Sequence, residues 1–330
     1  MAKVLVLCTV SEGDTRNPWG RRDYERFLRA STNDRFQEHE LVDNPLKADL
    51  ILYVGSGEFD FSDVRREPYV RRHREKCFVF DSRDTVVPFF PGIYACAEKC
   101  WYRPDRFRAG FYLRVFENDS IEFNPDVERR PLLFSFAGAS SNARVRQEIM
   151  RLKHPRCVLS DTSGRTLKER QRDGLIGPDD SYGTFYVDLL AKSKFVLCPR
   201  GIGTSTWRLF EAMKAGCVPV ILSDAWVPPE GPDWKSFSLR IPESDVLQIP
   251  GFLEECEASA PGMAHLARRE WDEWFSLECS FHRIVEWCLA IQKSRTTSET
   301  WLKWTVAPQV ITARFARPYV SRFLRGFGAK

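Results

Sequence analysis

Short, nearly unbroken apolar runs alternate along this chain with stretches of helical periodicity. Lys3 to Val10, KVLVLCTV, predicts a strand that ends in the polar loop SEGDTRNPWG. RRDYERFLRAS follows, with Tyr24, Phe27 and Leu28 on one helical face. ADLILYVGSGE (Ala48 to Glu58) and KCFVFDSRD (Lys76 to Asp84) predict further strands that end in glycines or a polar turn. Apolar strands separated by helical stretches imply a parallel sheet covered on both faces. This pattern extends to about Asn124.

A second, similar half then begins. NPDVERRP (Asn124 to Pro131) has prolines and alternating charges without apolar periodicity, and reads as a linker. LLFSFAG (Leu132 to Gly138) is a strand running into glycine, and SSNARVRQEIMRL is a helix with Ser or Asn available to cap it. YGTFYVDLLAKSKF (Tyr182 to Phe195) predicts a helix feeding the strand FVLCP. FSLRIPESDV (Phe237 to Val246) predicts one more strand, and helical patterns dominate from Asp245 to Lys293. The expected organisation is an α/β protein with domains at residues 1–128 and 129–295, followed by a basic segment at 296–330. In open parallel sheets ligands sit at the carboxyl ends of the strands, so the two halves predict a site between them.

Composition narrows the classes. Of 330 residues, 43% are apolar and 28% charged, with no repeat, so the chain is globular. A net charge of +4 is too small to imply a nucleic-acid partner. The basic residues concentrate at the end: Lys303, Arg314, Arg317, Arg322, Arg325 and Lys330 meet no acidic residue after Thr300. Two readings of that segment stay open. It crosses back to pack on the first domain, or its aromatic and basic residues make peripheral contact with an anionic membrane. No apolar run approaches the ~18 residues of a membrane span or resembles a signal peptide, which predicts a cytoplasmic protein. The ten cysteines lack a C-x-x-C pair and the five histidines are scattered, which predicts reduced thiols and no structural metal.

The densest chemistry lies in CPRGIGTSTWRLFEAMKAGCVPVILSD, Cys198 to Asp224. Gly201 and Gly203 permit positive φ or close approach of a ligand. Thr204, Ser205 and Thr206 stand where a helix begins, and a helix start favours an anion. Arg208 and Glu211, three apart, share a helical face. A phosphate at the helix start, flanked by Arg208 and with Glu211 accepting from hydroxyls, fits this spacing. The pattern has neither the Gly-Lys-Ser/Thr of a P-loop nor the third glycine of a dinucleotide fingerprint.

From Phe195 to Val246 the sequence resembles the signature region of the exostosin family of glycosyltransferases. The likeness covers the Pro-Arg-Gly turn, the Arg-Leu-Phe-Glu-Ala helix, the Gly-Cys-Val-Pro-Val strand, the Ser-Asp-x-Trp loop and the later Asp-Trp. LLFSFAG and VRQEI upstream are also similar, and the N-terminal half matches only through FDSRD and PGIY. The resemblance implies a GT-B fold, with two Rossmann-like domains facing across a cleft. It further implies transfer from a nucleoside-diphosphate sugar, most often a UDP-sugar, to a glycan or glycoconjugate hydroxyl with inversion. On that basis Gly201, Gly203, Thr204 and Ser205 meet the diphosphate, Arg208 offsets its charge and Glu211 holds the ribose. Arg146 of VRQEI is a second phosphate candidate. Arg144 and Arg200 are further cations near the donor, although on a helix Arg144 and Arg146 do not face one ligand.

Inverting transfer needs a base, expected at a strand end of the first half: Asp14, Glu58, or Asp84 with Asp81 in the same motif. The chain has no Asp-x-Asp, so the donor is expected to bind without metal or other cofactor. Trp226 and Trp234 either stack on the ligand or close the core. A catalytically inactive nucleotide- or glycan-binding partner subunit is the alternative reading, which the intact loop disfavours, and a sugar-nucleotide epimerase is a third.

Overall fold

A computed structural model describes residues 1–10, 18–55, 67–84, 88, 90–163 and 181–295. Asp14, Glu58 and the basic segment lie outside these residues. The first half forms a six-stranded parallel sheet in the order β2-β1-β3-β4-β5-β6. Its strands are β1 (Ala2–Cys8), β2 (His39–Leu41), β3 (Leu50–Val54), β4 (Cys77–Asp81), β5 (Gly92–Tyr94) and β6 (Phe107–Ala109). Every residue of β3 and β4 is buried, as expected for strands covered on both faces. Helix α1 (Pro18–Thr32) lays Phe27 and Ala30 into the core, and a short helix α2 (Pro68–Arg72) precedes β4.

The second sheet is five-stranded, also parallel, in the order β11-β10-β9-β7-β8. It comprises β7 (Leu132–Gly138), β8 (Cys157–Asp161), β9 (Ser193–Pro199), β10 (Val218–Leu222) and β11 (Leu239–Arg240). Helices α3 (Arg144–Ile149), α4 (Ser181–Lys192) and α5 (Trp207–Lys214) connect its strands. Gly216, at φ +61°, ends α5, and a Cβ there would lie 2.3 Å from the Phe123 ring. That left-handed turn lets Cys217 N–H return to the Ala212 carbonyl and sends the chain into β10. The helices α6 (Trp234–Phe237), α7 (Ile249–Cys256), α8 (Ala260–Trp274) and α9 (Leu277–Ser294) complete the described elements. Two parallel α/β sheets are thus present, as a pair of Rossmann-like domains requires.

The segment between the sheets is anchored rather than loose. Val127 is buried, and the buried Arg130 guanidinium donates to the carbonyls of Asn124, Ser193, Ala215 and Gly216. Crossing back begins earlier than residue 296. Helix α9 lies against the first half, where Arg35 N–H donates to the Glu278 carbonyl and Gln292 donates to the carbonyls of Asp49 and Glu75.

The two sheets share one core. Phe111 from the first half meets Phe210 of α5 at 5.9 Å and Phe275, between α8 and α9, at 5.3 Å, all three fully buried. A Phe111→Ala substitution should therefore cost about 3–5 kcal/mol. Both halves should melt together at a lower temperature in calorimetry, whereas two separated transitions would show that they fold independently.

Candidate functional site

The carboxyl ends of the two sheets meet at a close seam. The loop after β9, residues 200–206, approaches the turn after β4 and the segment after β5 so closely that a side chain at Gly203 has no room. Its Cβ would stand 2.4 Å from the Asp84 carbonyl and 2.5 Å from Cys96 Sγ. Thr204 Oγ1 donates to the Ala97 carbonyl at 3.2 Å. Beside it, Glu98 and Trp226 form an antiparallel bridge, Lys99 N–H donates to the Ala225 carbonyl at 2.9 Å, and Arg108 pairs with Glu230 at 2.7 Å.

Two buried guanidinium groups lie against this loop. Arg146, from α3, donates to the carbonyls of Arg200, Ala139 and Pro199 at 2.8, 3.3 and 3.3 Å. Arg208, from the first turn of α5, donates to the Ala137 carbonyl. Each is only 6% exposed, and both stand over the ring of Phe136, at 5.7 and 4.9 Å from its centroid. Neither forms an ion pair with a carboxylate among the described residues. Burial and the neighbouring Arg208 charge lower the Arg146 guanidinium to about 9. Arg208 Nε and the Ser205 hydroxyl, both buried, have no hydrogen-bond partner among the described residues. Two adjacent buried guanidinium groups, one with an unused Nε donor, beside a helix start and the Ser205 hydroxyl, are suited to an anion.

Carboxylates border the cations on two sides. Glu211, one turn along α5 from Arg208, accepts from the buried Tyr186 hydroxyl at 2.8 Å, and burial raises its carboxyl. Across the seam, Asp84 accepts from the Tyr112 hydroxyl at 3.2 Å. The residue is exposed at the seam, yet the surrounding protein raises its carboxyl, against opposing contributions from Tyr112 and Arg146. A carboxylate with raised affinity for a proton, set beside an anion site, is equipped to act as a base.

The other expected residues fall differently. Arg144 is 87% exposed at its side chain and pairs with Glu148 one turn on, pointing away from the site. Arg200 is held by both oxygens of Glu243, at 2.8 and 2.9 Å, so it braces the loop. Neither Gly201 nor Gly203 has positive φ. Gly203 serves the close approach of the other domain, and a Cβ on Gly201 would come 3.1 Å from Arg146. Thr206 is the helix N-cap residue but makes no side-chain cap bond, because the cap position is taken into the buried seam. Asp81 is bound by Arg83 through both oxygens and serves the turn. Trp226 and Trp234 stand edge to face at 5.1 Å, Trp226 buried in the core and Trp234 half-buried against it, which favours packing for both. Phe136, Tyr186, Tyr112 and Cys96 escaped sequence reading, since each acts on a partner distant in sequence.

Residues 112–256 match the family model for the exostosin GT47 domain. Exostosin-1 of Drosophila melanogaster is 26% identical over 246 residues, 68% of this chain and 31% of that protein. Exostosin-1c of Danio rerio is 30% identical over 199 residues, 54% of this chain and 26% of that protein. The chain therefore spans about a third or less of the length of these relatives. In overall shape it is similar to a Rickettsia africae glycosyltransferase, with 9% identity, a TM-score of 0.42 and coverage of 88% of this chain and 98% of that one.

The seam geometry gives a direct test. Gly203→Ala should destabilise the protein by about 1–3 kcal/mol, because backbone and a buried thiol must move. Gly251→Ala, in α7 with open space around its Cβ, should leave stability unchanged or raised by up to ~1 kcal/mol. Chemical denaturation compares the two, and equal tolerance would show that the seam is not closed at Gly203.

Proposed function

We propose that the chain, whose residues 112–256 match the exostosin GT47 domain, is an exostosin-like glycosyltransferase that transfers a sugar from a nucleoside diphosphate to a glycan or glycoconjugate hydroxyl. The observation that carries this reading is the pair of buried arginines, Arg146 and Arg208, without a carboxylate partner among the described residues. A diphosphate supplies the missing negative charge, and departure of the nucleotide from the sugar places still more charge on it. Fixed donors that meet developing charge stabilise the transition state more than the ground state. Ser205, with its unused hydroxyl, joins the two arginines on the diphosphate. Glu211, held by Tyr186, receives the ribose hydroxyls. The family likeness favours a uridine nucleotide.

Asp84 takes the proton of the acceptor hydroxyl as that oxygen attacks the anomeric carbon opposite the leaving diphosphate, which inverts the configuration. Its raised proton affinity suits a base. The leaving group rests on the two guanidinium groups, so the reaction proceeds without a divalent ion. The absence of Asp-x-Asp from the sequence accords with this.

A panel of UDP- and GDP-sugars, screened by thermal shift and then assayed for release of the nucleoside diphosphate, tests the reading. A UDP-sugar at 100 times its Kd should stabilise the protein by about 2.7 kcal/mol. Asp84→Asn should keep that stabilisation but lose about 10²–10⁴-fold in turnover. Turnover should decline on the acid side as Asp84 takes up its proton, above the pH at which an ordinary aspartate does so. Stabilisation by a nucleotide sugar without turnover would favour a binding subunit, and no stabilisation by any nucleotide would overturn the reading.

Full activity should persist in excess EDTA. Loss of activity that manganese restores would contradict metal-independent transfer.

A further inference from the structure

A line of polar groups runs through the seam from the loop of residues 200–206 to Asp84. At one end, the Ser205 backbone N–H, at the start of α5, favours negative charge on Cys96 Sγ. Cys96 Sγ lies 2.9 Å from the Tyr112 hydroxyl, and that hydroxyl lies 3.2 Å from Asp84 Oδ1. Cys96 and Tyr112 are both buried, at 2% and 5% exposure. The direction of these bonds follows from proton bookkeeping. Burial pushes the Cys96 thiol up to about 12 and the Tyr112 phenol well above its ordinary range, so both keep their protons. A phenol has one proton to give and a carboxylate has none, so Tyr112 donates to Asp84 and Cys96 S–H donates to Tyr112.

We propose that Tyr112 is a positioning residue for the transfer, holding Asp84 Oδ1 and leaving Oδ2 to take the acceptor's proton, with Cys96 fixing the direction in which the phenol points. This rests on the reading of Asp84 as the base. Among the described residues no hydrogen bond engages Asp84 Oδ2, so the carboxyl is held by one oxygen and open at the other. The step balances within the transfer. The acceptor O–H bond breaks as its oxygen bonds to the anomeric carbon, and the bond from that carbon to the diphosphate oxygen breaks. The nucleotide leaves with the electron pair, Oδ2 gains the acceptor's proton, and Tyr112 keeps its own. Gly203 belongs to the same device, since a Cβ there would collide with both Cys96 Sγ and the Asp84 carbonyl. The line also crosses from one sheet to the other. Ser205 stands on the donor side, and Cys96, Tyr112 and Asp84 on the acceptor side, so the loop that receives the nucleotide and the carboxyl that receives the proton are positioned by one set of contacts.

The groups facing Asp84 set what the carboxyl feels. Tyr112 and Arg146 favour its charged form, and the surrounding protein disfavours it. Cys96, protonated, stands 4.0 Å from Oδ1, and the neighbouring Asp81 is neutralised by Arg83. Removing the phenol hydroxyl takes away one of the two favourable contributions. The folded Asp84 then takes up its proton at higher pH than in the native protein.

Tyr112→Phe keeps the ring, which stands edge-on to Trp207 at 6.2 Å, and removes only the hydroxyl. UDP affinity, read by isothermal titration, should be unchanged. Release of UDP from the best-turned-over UDP-sugar, with water as acceptor, should slow about ten- to a hundredfold. Its acid limb should move to higher pH. Carbon-13 NMR of labelled aspartate, with the Asp84 signal assigned by its loss in Asp84→Asn, should show the carboxyl titrating at higher pH in Tyr112→Phe without any substrate present. Cys96→Ala should give the same changes to a smaller extent, and serves if Tyr112→Phe does not fold. An unchanged acid limb and an unchanged Asp84 titration in these variants would overturn the role of Tyr112. Wild-type turnover in Asp84→Asn would instead overturn the base assignment, whatever the NMR titration of Tyr112→Phe shows.

Discussion

Two like charges buried side by side are the constraint around which this structure is arranged. Arg146 and Arg208 share the face of Phe136 and spend their donors on backbone carbonyls. Removing a guanidinium from water costs several kcal/mol even after relaxation, and the neighbour's repulsion adds to that. Carbonyl dipoles at the ends of β7 and β9 and the ring quadrupole offset part of the cost. Among the described residues no carboxylate forms an ion pair with either group, and Asp84 and Glu211 act on them only from farther away. In the proposed function an anion at the loop of residues 200–206 offsets what is left.

The seam explains how the anion site and the candidate base keep a fixed relation. At one end of the interface Phe111, Phe210 and Phe275 join the two cores. At the other, Gly203 lies against Asp84 and Cys96, and the Glu98–Trp226 bridge ties the loops together. Side chains on two separate sheets can be held to within fractions of an ångström only if the sheets themselves are locked. Here the lock consists of close-packed aromatics and backbone contacts rather than surface ion pairs, which contribute little.

Much of this was legible in the sequence, for identifiable reasons. The β9–α5–β10 unit announced itself because both strands are continuous apolar runs and Gly216 breaks the helix between them. β1, β3, β4 and β7 were legible for the same reason. The three-residue strands β2, β5 and β6 are too short for any periodicity, and β11, two residues long, was expected to be longer. NPDVERRP read as a linker because its charges alternate, yet Arg130 turns inward to four carbonyls, a role no local pattern reveals. At the site, Arg146 and Arg208, both expected near a phosphate, come together over the ring of Phe136. The threonines were expected to face a ligand, but the loop's packing against the other domain takes Thr204 to the Ala97 carbonyl instead. Tyr112 and Cys96 were invisible because their meaning depends on Asp84, and Tyr186 because its meaning depends on Glu211.

The central claim is that the arginine pair binds a nucleoside diphosphate through its phosphates. Isothermal titration of uridine, UMP and UDP, with the wild-type protein and with Arg146→Gln and Arg208→Gln, addresses it most directly. Affinity should rise stepwise with each phosphate in the wild type, and each substitution should remove most of the rise while leaving uridine binding unchanged. Equal affinity for the three ligands in the wild type, or an undiminished rise in both variants, would contradict the account.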